Sequence, residues 1–156
     1  MVCDDPKAYA IRRACRQGVP VVVLSPGLFP SRKSYEELLV RILKTQGVEV
    51  VALAGFMRIL TPYFIRAFRG RVLNIHPSLL PAFKGAHAIR DAFQARVKHT
   101  GVTVHIVTEK LDSGPVLAQK KVSVLESDTL KKLESKIHLA EHRLYPAAIQ
   151  KFIDSQ

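Results

Sequence analysis

Short apolar runs alternate along the chain with longer segments in which apolar residues recur every three or four positions. The first pattern predicts buried strands and the second predicts amphipathic helices. The predicted strands are residues 19–24, 48–54, 72–75, 101–108 and 116–124. The predicted helices are residues 31–45, a short one from 61, 88–98, and a long one from 128 to about 140 or beyond. This alternation predicts an α/β fold with a mostly parallel sheet, whose chemistry lies at the carboxyl ends of the strands.

The length of 156 residues predicts one domain spanning 1–156. The apolar runs are strand-sized, so no membrane-spanning segment is expected. The first residues carry no basic start followed by an apolar stretch, which argues against a signal peptide. Two cysteines, Cys3 and Cys15, do not make a disulfide framework. These features together favour a reduced, cytoplasmic setting.

A formal net charge of +11 and an isoelectric point near 10.0 favour a polyanionic partner. The lysines and arginines are spread along the chain, with no run longer than two. No basic motif interleaved with aromatic residues is present, which argues against nucleic acid as the main partner. A phosphorylated small molecule and a generally basic surface both remain open.

Asn74 and His76 give the densest chemical signal. They lie two residues apart at the end of a predicted strand, so their side chains share one face, just before a proline-rich loop. Acyl transfer needs an amide that stabilises an oxyanion and an imidazole that moves protons. A polar strand end whose side chains cap the loop explains the same pair equally well.

Two loops and one helix segment offer further candidates. In the loop after residue 108, Asp112 could pair with His76, although a simple Asp-Ser-Gly turn is the more economical interpretation. The loop at 54–60 could hold a flat heterocycle, although an ordinary strand-to-helix connection is locally favoured. His138 and His142 match a short zinc-peptidase pattern without an obvious third ligand, so no metal is expected. His105 could equally be a residue facing the site or a core histidine.

Six ordered blocks make the chain resemble the glycinamide ribonucleotide formyltransferase family. They are LAGFMRIL at 53–60, NIHPSLLP at 74–81, GAH at 85–87, TVH at 103–105, LDSGP at 111–115 and EHRLYP at 141–146. The resemblance implies a Rossmann-like sheet and formyl transfer from 10-formyltetrahydrofolate to the amine of 5-phosphoribosylglycinamide. The segment AFKGA at 82–86 is similar to formyltetrahydrofolate hydrolases, which leaves hydrolysis as the alternative, and a non-catalytic folate-binding remnant is another.

The same resemblance implies the site residues. Asn74, His76 and Asp112 would be the catalytic trio. The folate pterin would be held, largely through backbone groups, by residues in two loops: Met57, Arg58, Ile59, Leu60, Thr108, Glu109, Lys110, Leu111 and Asp112. Glu141 with His138 would contact the ribonucleotide, and Arg32 would lie near the substrate phosphate or the folate. The folate is a co-substrate, and no metal is implied.

The chain departs from this family at its start. The family begins with a strand and a loop rich in Gly, Asn and Ser that opens a helix and holds the substrate phosphate, and no segment here is similar to these elements. We therefore expect the chain to lack the first strand and the phosphate-binding loop, and to transfer formyl groups poorly alone. Exposed sheet edges would then allow an oligomer.

Overall fold

The computed structural model describes all 156 residues, which form two compact units, Met1–Val48 and Glu49–Gln156. No helix combines the length and the apolar character that crossing a bilayer requires. The prediction of a single domain over 1–156 stays a prediction.

The smaller unit contains two short parallel strands and two helices. Its elements are β1 (Val2–Cys3), α1 (Tyr9–Arg16), β2 (Val22–Val23), a 3₁₀ turn (Pro26–Leu28) and α2 (Arg32–Thr45). The predicted strand at 19–24 shrinks to the two residues of β2, which are exposed rather than buried. Pro20 has no backbone N–H to donate to a neighbouring strand, which helps to limit its length.

The start of α2 follows the sequence prediction. Ser31 precedes the helix, and its hydroxyl accepts a hydrogen bond from the backbone N–H of Ser34 at 3.1 Å. The Ser34 hydroxyl in turn accepts from the backbone N–H of Ser31 at 3.2 Å. This reciprocal cap satisfies two backbone donors that a helix N-terminus leaves without partners.

The larger unit contains the principal sheet. Its elements are β3 (Val51–Leu53), α3 (Pro62–Ala67), β4 (Val72–His76), α4 (Ala88–Gln94), β5 (His99–Ile106), β6 (Val116–Ser123) and α5 (Leu130–Asp154). The strands lie in the order β3-β4-β5-β6. The predicted α/β class with helices flanking parallel strands is confirmed, and each strand of this unit was predicted within a few residues.

Strand direction changes in the middle of this sheet. The β3–β4 pair is parallel, whereas β4–β5 and β5–β6 are antiparallel. The sequence predicted a mostly parallel sheet, but in this sheet only the β3–β4 pair is parallel. The connection between β5 and β6 is a nine-residue loop, 107–115, which is too short for the crossover that parallel neighbours require.

Alternating residues divide the middle of the sheet into an apolar and a polar face. On β4 and β5, Leu73, Val102 and Val104 are fully buried and pack with side chains of α5. The intervening residues Asn74, His76, Thr103 and His105 point to the opposite face, because successive strand side chains alternate. Packing against α5 thus fixes which face carries the polar groups.

Helix α5 is also tied to the sheet by a hydrogen bond. The Tyr145 hydroxyl lies 2.8 Å from the carbonyl oxygen of Leu53 on β3 and 2.9 Å from that of Leu73 on β4. Burial raises the pKa of Tyr145, so the hydroxyl keeps its proton and remains a donor. This contact holds two parallel strands and the long helix in one arrangement.

Candidate active site

A cavity of about 370 Å³ opens at the carboxyl ends of β3 and β4, and we call it the site cavity. Asn74, His76, Asp112 and His105 all contribute to its wall. The loop after β3 and the loop after β5 supply the remaining sides. The strand ends therefore carry polar side chains to one place, as parallel neighbouring strands do in open α/β sheets.

Asn74 is oriented by His105, which stands directly opposite it on β5. The Asn74 amide nitrogen lies 3.3 Å from His105 Nε2, and His105 Nδ1 lies 3.1 Å from the carbonyl oxygen of Ile106. Burial lowers the pKa of His105 by desolvating the imidazolium, while the Ile106 carbonyl and the Asp112 charge act in the opposite sense. A neutral ring donates from Nδ1 and accepts at Nε2, which leaves the second amide N–H of Asn74 for another acceptor.

His76 is held at both ring nitrogens and is almost fully buried. Its Nε2 donates to the carbonyl oxygen of Phe83 at 2.8 Å, since a carbonyl can only accept. Its Nδ1 lies 3.5 Å from Asp112 Oδ2. The imidazole is thus fixed between a backbone acceptor and a carboxylate, in reach of the cavity.

The Asp112 carboxylate is positioned by its own loop and by a second one. Oδ2 accepts a hydrogen bond from the backbone N–H of Gly85 at 2.9 Å, and Oδ1 lies 3.7 Å from His105 Nε2. Asp112 itself has a positive φ of 43°. This left-handed conformation is uncommon outside glycine and turns the buried carboxylate toward the histidines.

Gly114 sets how closely this loop approaches β5. A Cβ atom at this position would overlap the carbonyl oxygen of Ile106. Beside it, the Pro115 carbonyl accepts a hydrogen bond from the backbone N–H of Ile106 at 2.9 Å. Close backbone contact, rather than a positive φ, is the reason for glycine here.

Apolar side chains surround the opening of the site cavity. Met57, Ile59 and Leu111 are 79%, 60% and 53% exposed, which is unusual for residues of this type grouped at one opening. Every residue predicted from the family resemblance to hold the folate pterin contributes to the cavity: Met57, Arg58, Ile59, Leu60, Thr108, Glu109, Lys110, Leu111 and Asp112. The lining combines apolar walls with a few convergent polar groups, as ligand cavities usually do.

Of three further predicted substrate contacts, one belongs to the smaller unit and two belong to α5. Arg32 is the first residue of α2, in the smaller unit. His138 and Glu141 lie on α5, where His138 Nδ1 is 2.8 Å from Glu141 Oε2. Neither α5 residue lines the site cavity, and the contacts predicted for all three stay predictions.

Two contacts of the catalytic candidates were not predicted from the sequence. They are the carbonyl group of Phe83 and the backbone N–H of Gly85, which bond to His76 and Asp112 respectively. Backbone groups leave no residue-type signal, and only the presence of Gly85 in a loop hinted at one. No group of three or more His, Cys, Asp or Glu side chains is arranged to hold a metal ion.

The sequence and the fold both match proteins of one family. The formyl transferase family profile matches residues 1–149. Phosphoribosylglycinamide formyltransferase of Bacillus subtilis (strain 168) is 41% identical over 153 residues, which cover 98% of this chain and 78% of that protein. The crystal structure of phosphoribosylglycinamide formyltransferase from Bacillus halodurans superposes with a TM-score of 0.94 at 47% identity, covering 97% of this chain and 78% of that one.

A third relative is much longer. The trifunctional purine biosynthetic protein adenosine-3 of Gallus gallus is 44% identical over 150 residues, which cover 96% of this chain but only 15% of that protein. The match is therefore to one part of the trifunctional protein. Taken with the profile and the bacterial relatives, it shows that the chain belongs to the phosphoribosylglycinamide formyltransferase family.

Proposed function

We propose that this chain transfers the formyl group of 10-formyltetrahydrofolate to the amine of 5-phosphoribosylglycinamide. The observation that carries the proposal is the meeting of Asn74, His76 and Asp112 at one cavity with an apolar opening. An amide donor, an imidazole and a carboxylate are the groups that acyl transfer uses.

The exposed apolar side chains support folate as the formyl donor. A flat pterin placed between the two loops would cover Met57, Ile59 and Leu111 and remove their surface from water. Backbone groups of the same loops would give the heterocycle its hydrogen bonds. The formyl group would then project toward Asn74 and His76.

The reaction begins when the substrate amine attacks the formyl carbon, which forms a C–N bond and a tetrahedral intermediate. The N–H of Asn74 that His105 does not use donates to the oxyanion. The His76 Nε2 proton, which the Phe83 carbonyl accepts in the free protein, is the second donor once a substrate atom replaces that carbonyl. Preorganised donors of this kind stabilise charge that develops in the transition state.

Collapse of the intermediate breaks the bond between the formyl carbon and the folate nitrogen. A proton must leave the attacking amine and reach that nitrogen, and His76 donates it. Asp112, 3.5 Å from His76 Nδ1, faces the ring and orients a water that accepts the amine proton and returns it to His76. The phosphorylated substrate and the folate are the partners in this scheme. The cytoplasmic setting and an oligomer through exposed sheet edges remain predictions.

Product analysis tests the proposal directly. The purified chain is mixed with 10-formyltetrahydrofolate and 5-phosphoribosylglycinamide, and formylated amine and formate are measured separately. Formylated amine that forms with the parent and disappears in His76→Gln supports transfer. His99→Gln, at the exposed first residue of β5, is the matched control and should keep the product. Formate as the main product would indicate a hydrolase, and folate binding without either product would indicate a binding module.

A further inference from the structure

The Thr103 hydroxyl uses every hydrogen-bonding position that it has. It donates to the carbonyl oxygen of Ser78 at 2.7 Å, and it accepts from the backbone N–H of Leu80 at 3.0 Å and from Gln119 Nε2 at 2.8 Å. A hydroxyl has one proton and two lone pairs, so the group is saturated. Because Thr103 is fully buried, each lost partner would leave a polar group without compensation.

Gln119 completes this arrangement from β6. Its amide nitrogen also donates to the carbonyl oxygen of Leu80 at 3.0 Å. Both backbone groups of Leu80 are therefore held, one by Thr103 and the other by Gln119. Two side chains from two strands thus fix the loop that leaves the end of β4.

These two residues continue the row of the sheet to which His76 belongs. Thr103 is the cross-strand partner of His76, and Gln119 is the cross-strand partner of Thr103. Directly opposed residues of antiparallel strands project on the same side. The imidazole, the hydroxyl and the carboxamide consequently stand side by side on the polar face.

The loop that Thr103 and Gln119 hold returns to the two catalytic candidates. The Ser78 hydroxyl donates to the carbonyl oxygen of Ala82 at 2.5 Å, which closes the loop on itself. The next residues supply the acceptor for His76, at Phe83, and the donor for Asp112, at Gly85. A shift of the loop would move both contacts together.

We propose that Thr103 and Gln119 are positioning residues for formyl transfer, which set the ring of His76 and the carboxylate of Asp112 through the backbone of loop 78–85. Neither residue lines the site cavity. Their contribution to catalysis rests on the proposed function, whereas their hold on His76 does not.

Variants that remove only hydrogen bonds test this proposal. Gln119→Met keeps the length of an exposed side chain and removes its donors, and Thr103→Val keeps the shape and removes the hydroxyl. Misplacement of the imidazole should lower kcat roughly tenfold for either variant, with KM for the folate changed by less than about twofold. Thr103→Ser retains the hydroxyl and should restore kcat, and Lys121→Met on β6 is the matched control.

A spectroscopic measurement separates positioning from general destabilisation. In protein labelled with ¹⁵N-histidine, the Nε2–H signal of His76 reports its bond to Phe83, and His76→Gln assigns it. The signal should shift or broaden in Gln119→Met and Thr103→Val and stay unchanged in Thr103→Ser and Lys121→Met. This readout needs no formyl transfer, so it stands even if the proposed function fails.

The two readouts decide the matter together. A changed His76 signal with reduced kcat and preserved KM supports the proposal, and a changed signal alone supports the structural part. Parent-like signal in both Gln119→Met and Thr103→Val would overturn it. So would a loss of kcat matched by an equal loss of folded protein.

Discussion

Two cavities of the same volume, each about 370 Å³, lie in the larger unit and differ in the polar groups that line them. The second cavity, which we call the basic groove, lies between β6 and α5. Its lining residues are Lys120, Lys121, Val122, Lys136, Leu139, Ala140, Arg143, Leu144 and Ala147. All four of its charged residues are cations, whereas the site cavity brings together two histidines, a carboxylate and an amide, with neighbouring groups 3.3, 3.5 and 3.7 Å apart.

Volume alone therefore does not mark a reactive site in this molecule. The cations of the groove repel one another, and the one with a carboxylate partner, Lys136, bonds to Asp128, which does not line the groove. In the site cavity His76 and Asp112 each have a backbone partner that orients them, Phe83 and Gly85 respectively. Mixed donors and acceptors, held in place, are what acid–base chemistry needs.

The largest expected effect is at Asp112. Asp112→Asn should keep folate binding but lower kcat by roughly a hundredfold or more, because an amide cannot stabilise a protonated His76 as a carboxylate does. Steady-state assays of transfer, with folate affinity measured by calorimetry, check this on protein that is active before the change. If Asp112→Asn were as fast as its parent, the acid–base groups of the site cavity would not be what distinguishes it from the basic groove.

Tyr145 gives the next effect, on stability rather than catalysis. It lies on α5, beside residues of the basic groove, and its hydroxyl reaches strand carbonyls next to the site cavity. Tyr145→Phe should lower the free energy of unfolding by about 1–2 kcal/mol, since buried carbonyl groups lose a donor. Urea unfolding measures it, and Tyr63→Phe at a half-exposed position should change little.

Asp128 should make stability depend on pH in the acid range. The Lys136 ammonium and then the backbone N–H of Leu125 hold the pKa of Asp128 at about 2, below its ordinary value of 3.8. A depressed carboxyl pKa stabilises the fold above the ordinary value, and this stabilisation disappears as pH falls toward about 2. Thermal unfolding between pH 6 and 2 should show a smaller loss in Asp128→Asn than in the parent. Asp154→Asn should follow the parent curve.

The smallest expected effect is in the basic groove. Arg143→Gln removes one of its cations and should leave kcat and KM for formyl transfer within about twofold of the parent. Kinetics at two salt concentrations check this, because salt screens the long-range effect of a remote charge on substrate binding. A large, salt-sensitive fall in kcat or rise in KM would mean that the basic groove takes part in substrate capture. The functional difference between the two cavities would then be smaller than proposed.

Local patterns predicted the elements of the larger unit well and the smaller unit less well. Hydrophobic runs located β4 to β6, whose residues pack in the core, and β3, which follows the packed residue Val50. The run at 19–24 is also rich in valine, yet only Val22–Val23 forms a strand. Apolar composition alone does not reveal which runs find a partner strand.

The site was predictable where the signal lies within one segment. Asn74 and His76 share a strand, so their common face follows from the period of two. The partnership of Asn74 with His105 depends on strand register across 31 residues, and the contacts of Phe83 and Gly85 depend on backbone groups. Neither kind of contact leaves a local pattern. Roles for Arg32, His138 and Glu141 stay predictions.

Gly114 has a consequence for the range of sequences that this fold accepts. In a saturation library, Gly27 faces open space and should accept many side chains, whereas a side chain at Gly114 meets the Ile106 carbonyl oxygen. Even alanine would push the turn away from β5 and carry Asp112 with it. Comparing the variants that survive at these two positions would therefore measure how much space separates the backbone at Gly114 from the backbone of β5. No substitution of a single side chain near the site gives this distance.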